Sequence, residues 1–156
     1  MRLIVCSDSH GRTDLLQRAV EKYPADMLIH LGDHFADADK IVLPPNMRLE
    51  TVRGNCDVGA APEEQILELE GKKVFLTHGH RYHVKSDLNM LAARADALGA
   101  HLCLYGHTHL PGYEFLGRSI LLCPGAICGN RTGGKSTFAY FEWQRAGQIY
   151  FQMCEV

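Results

Sequence analysis

Five times in this chain a short, mostly apolar run stops abruptly at Asp, Asn or His. The five endings are Cys6-Ser7-Asp8-Ser9-His10, Leu31-Gly32-Asp33-His34, Arg53-Gly54-Asn55-Cys56-Asp57, Leu76-Thr77-His78-Gly79-His80 and Tyr105-Gly106-His107-Thr108-His109. Read as strands, the runs place ligand-type side chains at strand carboxyl ends. In an α/β sheet of parallel strands those ends lie along one edge, where crevices for ligands form, so five segments distant in sequence can converge on one site. In a locally extended backbone, the spacing of Asp8 and His10, and of His107 and His109, puts both side chains of each pair on one side. The glycines beside them let backbone approach an ion closely.

The segments between these endings predict the rest of the fold. Leu15, Leu16, Ala19 and Val20 recur at helical spacing within Thr13 to Lys22. Strands are expected over Leu3 to Cys6, Met27 to Leu31, Arg48 to Val52, Gln65 to Glu70, Lys73 to Thr77 and Leu102 to Tyr105, with Gly71-Lys72 turning the chain between two of them. Ser86 can cap a helix running to about Leu98, closed by Gly99. After Pro111 come four short runs, Tyr113 to Leu116, Ser119 to Cys123, Thr137 to Trp143 and Gln148 to Cys154, expected as antiparallel hairpins. Helices alternating early and hairpins late predict a mixed α/β sandwich in a single domain over residues 1–156.

Composition narrows the function classes. Hydrophobic residues are 46% and charged residues 22% of the chain, which suits folding throughout. The net charge of -2, with Lys and Arg scattered, offers no broad footprint for duplex nucleic acid. No run reaches the roughly 18–20 apolar residues of a membrane span, so no membrane partner is expected. The N-terminal apolar stretch is too short for a signal-peptide core. Six cysteines, at 6, 56, 103, 123, 128 and 154, form no Cys-x-x-Cys pair and lie mostly in apolar runs, as reduced thiols in the cytoplasm would.

The donors at the five endings are imidazole nitrogen with carboxylate and amide oxygen, a set suited to Mn, Fe, Zn, Ni or Co rather than to an oxygen-only Mg or Ca cage. In this order they resemble the calcineurin-like metallophosphoesterase superfamily, whose pattern is Asp-x-His, Gly-Asp, Gly-Asn, a lone His and Gly-His-x-His. Gly54-Asn55-Cys56-Asp57 and Thr77-His78-Gly79-His80 are most similar to the small bacterial and archaeal phosphodiesterases within it. The resemblance spans residues 4–125, ending at Cys123-Pro124-Gly125, where the family has Asn-Pro-Gly.

That resemblance implies a four-layer fold, two mixed β-sheets flanked by α-helices. It implies two divalent ions, Mn foremost: Asp8, His10 and His109 for the first, Asn55, His78 and His107 for the second, and Asp33 bridging both. Such a pair lowers the pKa of a bridging water and stabilises charge during in-line attack on phosphorus. Asn55, His78 and His80 are the candidate catalytic residues, and the substrate is a small phosphoester. In the phosphoprotein phosphatase branch a His follows the Asn and protonates the leaving group, whereas Cys56 stands here. A thiol is a poor substitute acid, so diesters and acidic leaving groups are favoured, with His80 and Asp57 as other proton donors. Small relatives of this kind form dimers or tetramers, and a homo-oligomer is therefore expected. One retromer subunit resembles the same fold and binds a partner protein, which makes a non-catalytic scaffold the alternative function.

The remaining candidates carry plainer expectations. His30 is expected to pack inside its strand and His101 to be exposed; His34 and His83 stand in loops beside the site, as solvated residues or substrate contacts. Arg12 and Arg53 flank ligand loops and are expected to meet either phosphate or a carboxylate partner. Residues 129–136 satisfy Gly-x-x-x-x-Gly-Lys-Ser, but an aromatic, β-rich run follows where a phosphate loop needs a helix, so a glycine-rich turn is expected.

Overall fold

The computed structural model describes residues 1–129, 133–144 and 147–156. Two five-stranded sheets carry the architecture. One comprises β1 (Arg2–Cys6), β2 (Met27–His30), β3 (Arg48–Thr51), β9 (Thr137–Trp143) and β10 (Ile149–Glu155), in the spatial order β10-β9-β1-β2-β3. The other comprises β4 (Glu64–Leu69), β5 (Lys72–Thr77), β6 (Leu102–Leu104), β7 (Pro111–Leu116) and β8 (Ser119–Pro124), in the order β4-β5-β6-β8-β7. Both are mixed. β1, β2 and β3 run parallel, as do β5, β6 and β8; β9, β10, β4 and β7 pair antiparallel to their neighbours.

The two-residue period of a strand sorts side chains between faces, and that sorting builds the layers. Leu3, Val5, Met27 and Ile29 of the first sheet meet Val74, Leu76, Leu102 and Leu104 of the second in the core between them. The alternate residues Ile4, Cys6, Leu28 and Phe138 face outward and are covered by Leu15, Leu16, Ala19 and Val20 of α1 (Thr13–Lys22). On the far side, Phe75, Cys103 and Leu121 pack under Leu91, Ala92 and Ala95 of α2 (Asn89–Leu98). The order of layers is helix, sheet, sheet, helix, as the family resemblance implies.

Differences from expectation are local. α2 begins at Asn89 rather than at Ser86: Asp87 Oδ1 accepts the Asn89 N–H at 2.8 Å, so Asp87 supplies the polar acceptor expected of Ser86. Gly99 does close the helix, at φ 66°. Phe35–Lys40 and His80–Tyr82 form 3-10 turns that no apolar period signals. The late strands form the two expected hairpins, but β8 also pairs parallel with β6, and β9 inserts beside β1. Thr137–Trp143, after the Gly-x-x-x-x-Gly-Lys-Ser run, is a strand and not the helix a phosphate loop requires; positions 130–132 of that run lie outside the described residues.

Candidate metal centre

β1, β2, β3, β5 and β6 end within a few residues of Asp8, Asp33, Asn55, His78 and His107. Because all five point the same way within their sheets, their endings meet at one edge of the sandwich. Bonds across that edge clamp the two sheets: His78 Nδ1 lies 2.7 Å from the Leu31 carbonyl, and His107 N–H donates to Asp8 Oδ2 at 3.1 Å.

Six of the seven candidate ligands fall into two groups, Asp8 with His10 and His109, and Asp33 with His78 and His107. Within each group one potential donor atom per residue lies within 4.8 Å of the others. Asp33 touches both. Its Oδ2 stands 3.8 Å from His10 Nε2, and its Oδ1 stands 3.4 Å from His78 Nε2. His78 Nε2 is in turn 3.2 Å from His107 Nδ1. Asn55 sits in the loop that closes over Asp33, where the next residue, Cys56, donates its N–H to Asp33 Oδ1 at 2.9 Å. The Asn55 amide itself donates to Cys56 Sγ at 3.3 Å.

The backbone at these side chains is not extended. Asp8, His10, Asp33, His107 and His109 all have positive φ, between 44° and 70°. The left-handed region costs a non-glycine residue on the order of 1–3 kcal/mol, and such strain gathers where surrounding structure holds a residue for function. His107 and His109 do not share a group: the tight turn sends one ring to each. Gly32, at φ +93°, shows how closely the loops are pressed, since a Cβ there would come within 2.5 Å of the Gly54 nitrogen.

The groups suit a dication. Asp8 Oδ1 is buried and makes no aligned hydrogen bond among the described residues, although His109 Nε2 stands only 3.0 Å away. A buried carboxylate oxygen and an imidazole nitrogen that close, with His10 beside them, are donors that one cation could share. Ser7 Oγ donates to the other oxygen, Oδ2, at 2.5 Å. A carbonyl only accepts, so the Leu31 contact puts a proton on His78 Nδ1, and Nε2 is the ring nitrogen that faces Asp33 and whose lone pair a metal ion would use.

Charge follows the same layout. Burial opposes ionisation of Asp33, but the hydrogen bond and charge of His78 outweigh it and hold the carboxyl well below the usual range. Burial likewise opposes the His78 imidazolium, but its bond to Asp33 and the carboxylates of Asp8 and Asp33 push its pKa up. Burial and the neighbouring His78 pull His107 down to about 4.

The other candidates fall around this centre. The His34 ring lies 4.9 Å from that of His10 and is exposed, as is His83. His80 is half-buried beside the second group, with ring centroids 5.5 Å from His78 and 6.1 Å from His107. Arg12 pairs with Asp14 at 3.0 Å and Arg53 with Glu63 at 2.9 Å, so both take the carboxylate partner. His30 is fully buried between Ser9 Oγ and the Gly32 N–H, and His101 is exposed. Asp57 is no free proton donor, since backbone N–H groups of two loops occupy its carboxylate. Sequence reasoning missed Asp37, which is buried and accepts Ser9 Oγ at 2.8 Å, Gly11 N–H at 2.7 Å and Lys40 Nζ at 2.8 Å, steadying the Asp8 loop from below.

Comparison with known proteins identifies the family. The probable metallophosphoesterase YsnB of Bacillus subtilis (strain 168) is 35% identical over 130 residues, covering 81% of this chain and 75% of YsnB. The phosphodiesterase YfcE of Escherichia coli (strain K12) is 28% identical over 169 residues, covering 91% of this chain and 88% of its own. A crystal structure of a Vps29 single mutant from Entamoeba histolytica superposes with a TM-score of 0.78 over 100% of this chain and 99% of that one, at 18% identity, a likeness of fold. The family model of the calcineurin-like phosphoesterase superfamily domain matches residues 1–146. The chain belongs to the calcineurin-like phosphoesterase superfamily.

Proposed function

We propose that this protein is a metal-dependent phosphodiesterase whose two donor groups hold a pair of divalent cations, with Mn the preferred metal and Fe, Zn, Ni or Co compatible with the same donors. The observation that carries this reading is Asp33, whose two oxygens face different groups, at 3.8 Å from His10 and 3.4 Å from His78. Asp8, His10 and His109 would hold one cation and Asn55, His78 and His107 the other, with Asp33 shared. Such a pair supplies a water of lowered pKa as nucleophile and stabilises the charge that builds on the phosphoryl oxygens.

The chain's own part is to fix these donors before substrate arrives. Ser7 holds Asp8 Oδ2, so that Oδ1 is presented to the site, and Leu31 fixes the tautomer of His78. His80, beside the second group, is the candidate proton donor to the departing alcohol. Cys56 occupies the position after Asn55, and a thiol is a weak general acid, which favours diesters with acidic alcohols over phosphoserine-type monoesters. The absence of a disulfide among the described residues suits a cytoplasmic location. Exposed Tyr113, Phe115 and Tyr150 on the edge strands β7 and β10 suit a dimer or tetramer, which sedimentation velocity would resolve.

The test is hydrolysis of bis(p-nitrophenyl) phosphate by protein stripped of metal and reloaded with Mn²⁺. Asp33→Ala and His78→Ala are each expected to lower kcat/KM by about 10³-fold or more, which is ~4 kcal/mol of transition-state stabilisation. Unchanged turnover would remove the assignment. The fold shared with Vps29 raises a second reading, a non-catalytic protein-binding scaffold. The full donor set favours the enzyme; a folded wild-type protein that binds less than one ion per chain would favour the scaffold.

A further inference from the structure

We infer that Asp57 is a positioning residue for the metal centre: its carboxylate ties the backbone of the Asp33 loop to that of the Asn55 loop and so sets the spacing of those two donors. The inference rests on the two-cation reading above. Asp57 Oδ1 accepts the N–H of His34 at 2.7 Å and that of Phe35 at 3.2 Å, while Oδ2 accepts the N–H of Gly54 at 2.7 Å. The first two donors directly follow Asp33 and the third directly precedes Asn55. One carboxylate therefore spans two ligand loops at the point where each delivers its ligand.

The sheet does not do this work. β2 ends at His30 and β3 at Thr51; the N–H groups of Asp8 and Ser9 still bond the Gly32 and Asp33 carbonyls, but beyond Val52 N–H to the His30 carbonyl no backbone hydrogen bond among the described residues joins the Asp33 loop to the Asn55 loop. Asp33 and His34 are then held in the left-handed region, at φ 54° and 70°, a conformation that persists only when its surroundings over-determine it. Asp57 fastens the two N–H groups that follow this turn. It also holds Gly54 against Gly32, where the backbones come too close for a side chain. Asp57 touches neither donor group directly and acts through the chain on either side.

Asn at this position can offer one acceptor oxygen, but its NH₂ would then face the remaining backbone N–H. Loss of such outer support weakens metal binding by roughly 10–100-fold in comparable sites. The experiment titrates MnCl₂ into metal-free wild type, Asp57→Asn and Asp57→Ala, with thermal unfolding recorded on the same samples. The expected result is folded variants whose Kd for Mn²⁺ rises by about 10-fold for Asp57→Asn and by up to about 100-fold for Asp57→Ala. A purely structural role would lower Tm and leave the Kd of the folded variants at the wild-type value, which overturns the proposal. Hydrogen exchange on the metal-free wild type needs no variant. Slow exchange at His34, Phe35 and Gly54 is expected, and fast exchange at these amides overturns the tie even if both variants fail to fold. Wild type that binds no Mn²⁺ would strike the metal reading instead, with the exchange result still deciding whether the tie exists.

Discussion

Asp8, His10, Asp33, His107 and His109 each occupy a backbone region that L-residues avoid, and together they store strain on the order of several kcal/mol. The structure keeps them there through contacts such as Ser7 to Asp8, Cys56 to Asp33, and Asp37 to Ser9 and Gly11. The residues that gather at one edge of the sandwich could be picked out of the sequence because each lies just past an apolar run. The supports could not: Asp37 looks like an ordinary surface acid and Asp57 reads as a proton donor rather than a tie, since most of their partners are backbone and hydroxyl groups that only folding brings near. The extended-backbone reading of Asp-x-His failed for the same reason, because tight turns at a sheet edge obey the loops they join and not the strand they leave. Gly32→Ala tests how tight the packing is. A methyl group there meets backbone, and φ +93° disfavours any side chain, so a loss of about 3 kcal/mol or more in urea-unfolding free energy is expected.

At the scale of the element, β2 carries a titrating group into the core. Burial, against the pull of Asp8, Asp57 and Asp37, lowers the His30 pKa to about 4, whereas in the unfolded chain it lies near 6.5. Between those values the unfolded chain binds a proton that the folded protein refuses. His30 therefore costs nothing above about pH 6.5, and stability falls as pH drops towards about 4, by roughly 3 kcal/mol in total. Unfolding free energies measured across that window should show the slope, and His30→Asn should flatten it. Strand identity was legible throughout, because apolar runs of this length bounded by Gly or ligand residues admit few alternatives. The start of α2 was not, since Ser86 and Asp87 are both good caps and only the folded loop shows that Asp87 meets the first helical N–H.

Across the whole molecule, the packing of two sheets face to face determines where the ligand loops end up. Leu104 is fully buried between the sheets, one strand-end before the His107 turn. Leu104→Ala should cost about 3 kcal/mol from the lost transfer energy and the cavity left behind, read as a fall in Tm of roughly 6–12 °C. A mixed α/β sandwich was legible from α1 and the alternating strands and the layer order from the family resemblance, whereas the parallel pairing of β8 with β6 was hidden by the hairpin that β8 also makes with β7. Mn²⁺ held by the folded state alone would raise stability by about 4 kcal/mol at 1,000 times its Kd, and chelation should reverse the shift.

The bridging role proposed for Asp33 is tested most directly by Mn²⁺ titration of the metal-free protein, followed by electron paramagnetic resonance. Two equivalents bound per chain are expected, with a spectrum broadened by exchange coupling between neighbouring ions that is lost in Asp33→Ala. A single equivalent, or two ions with the spectrum of isolated Mn²⁺, would contradict the bridging role.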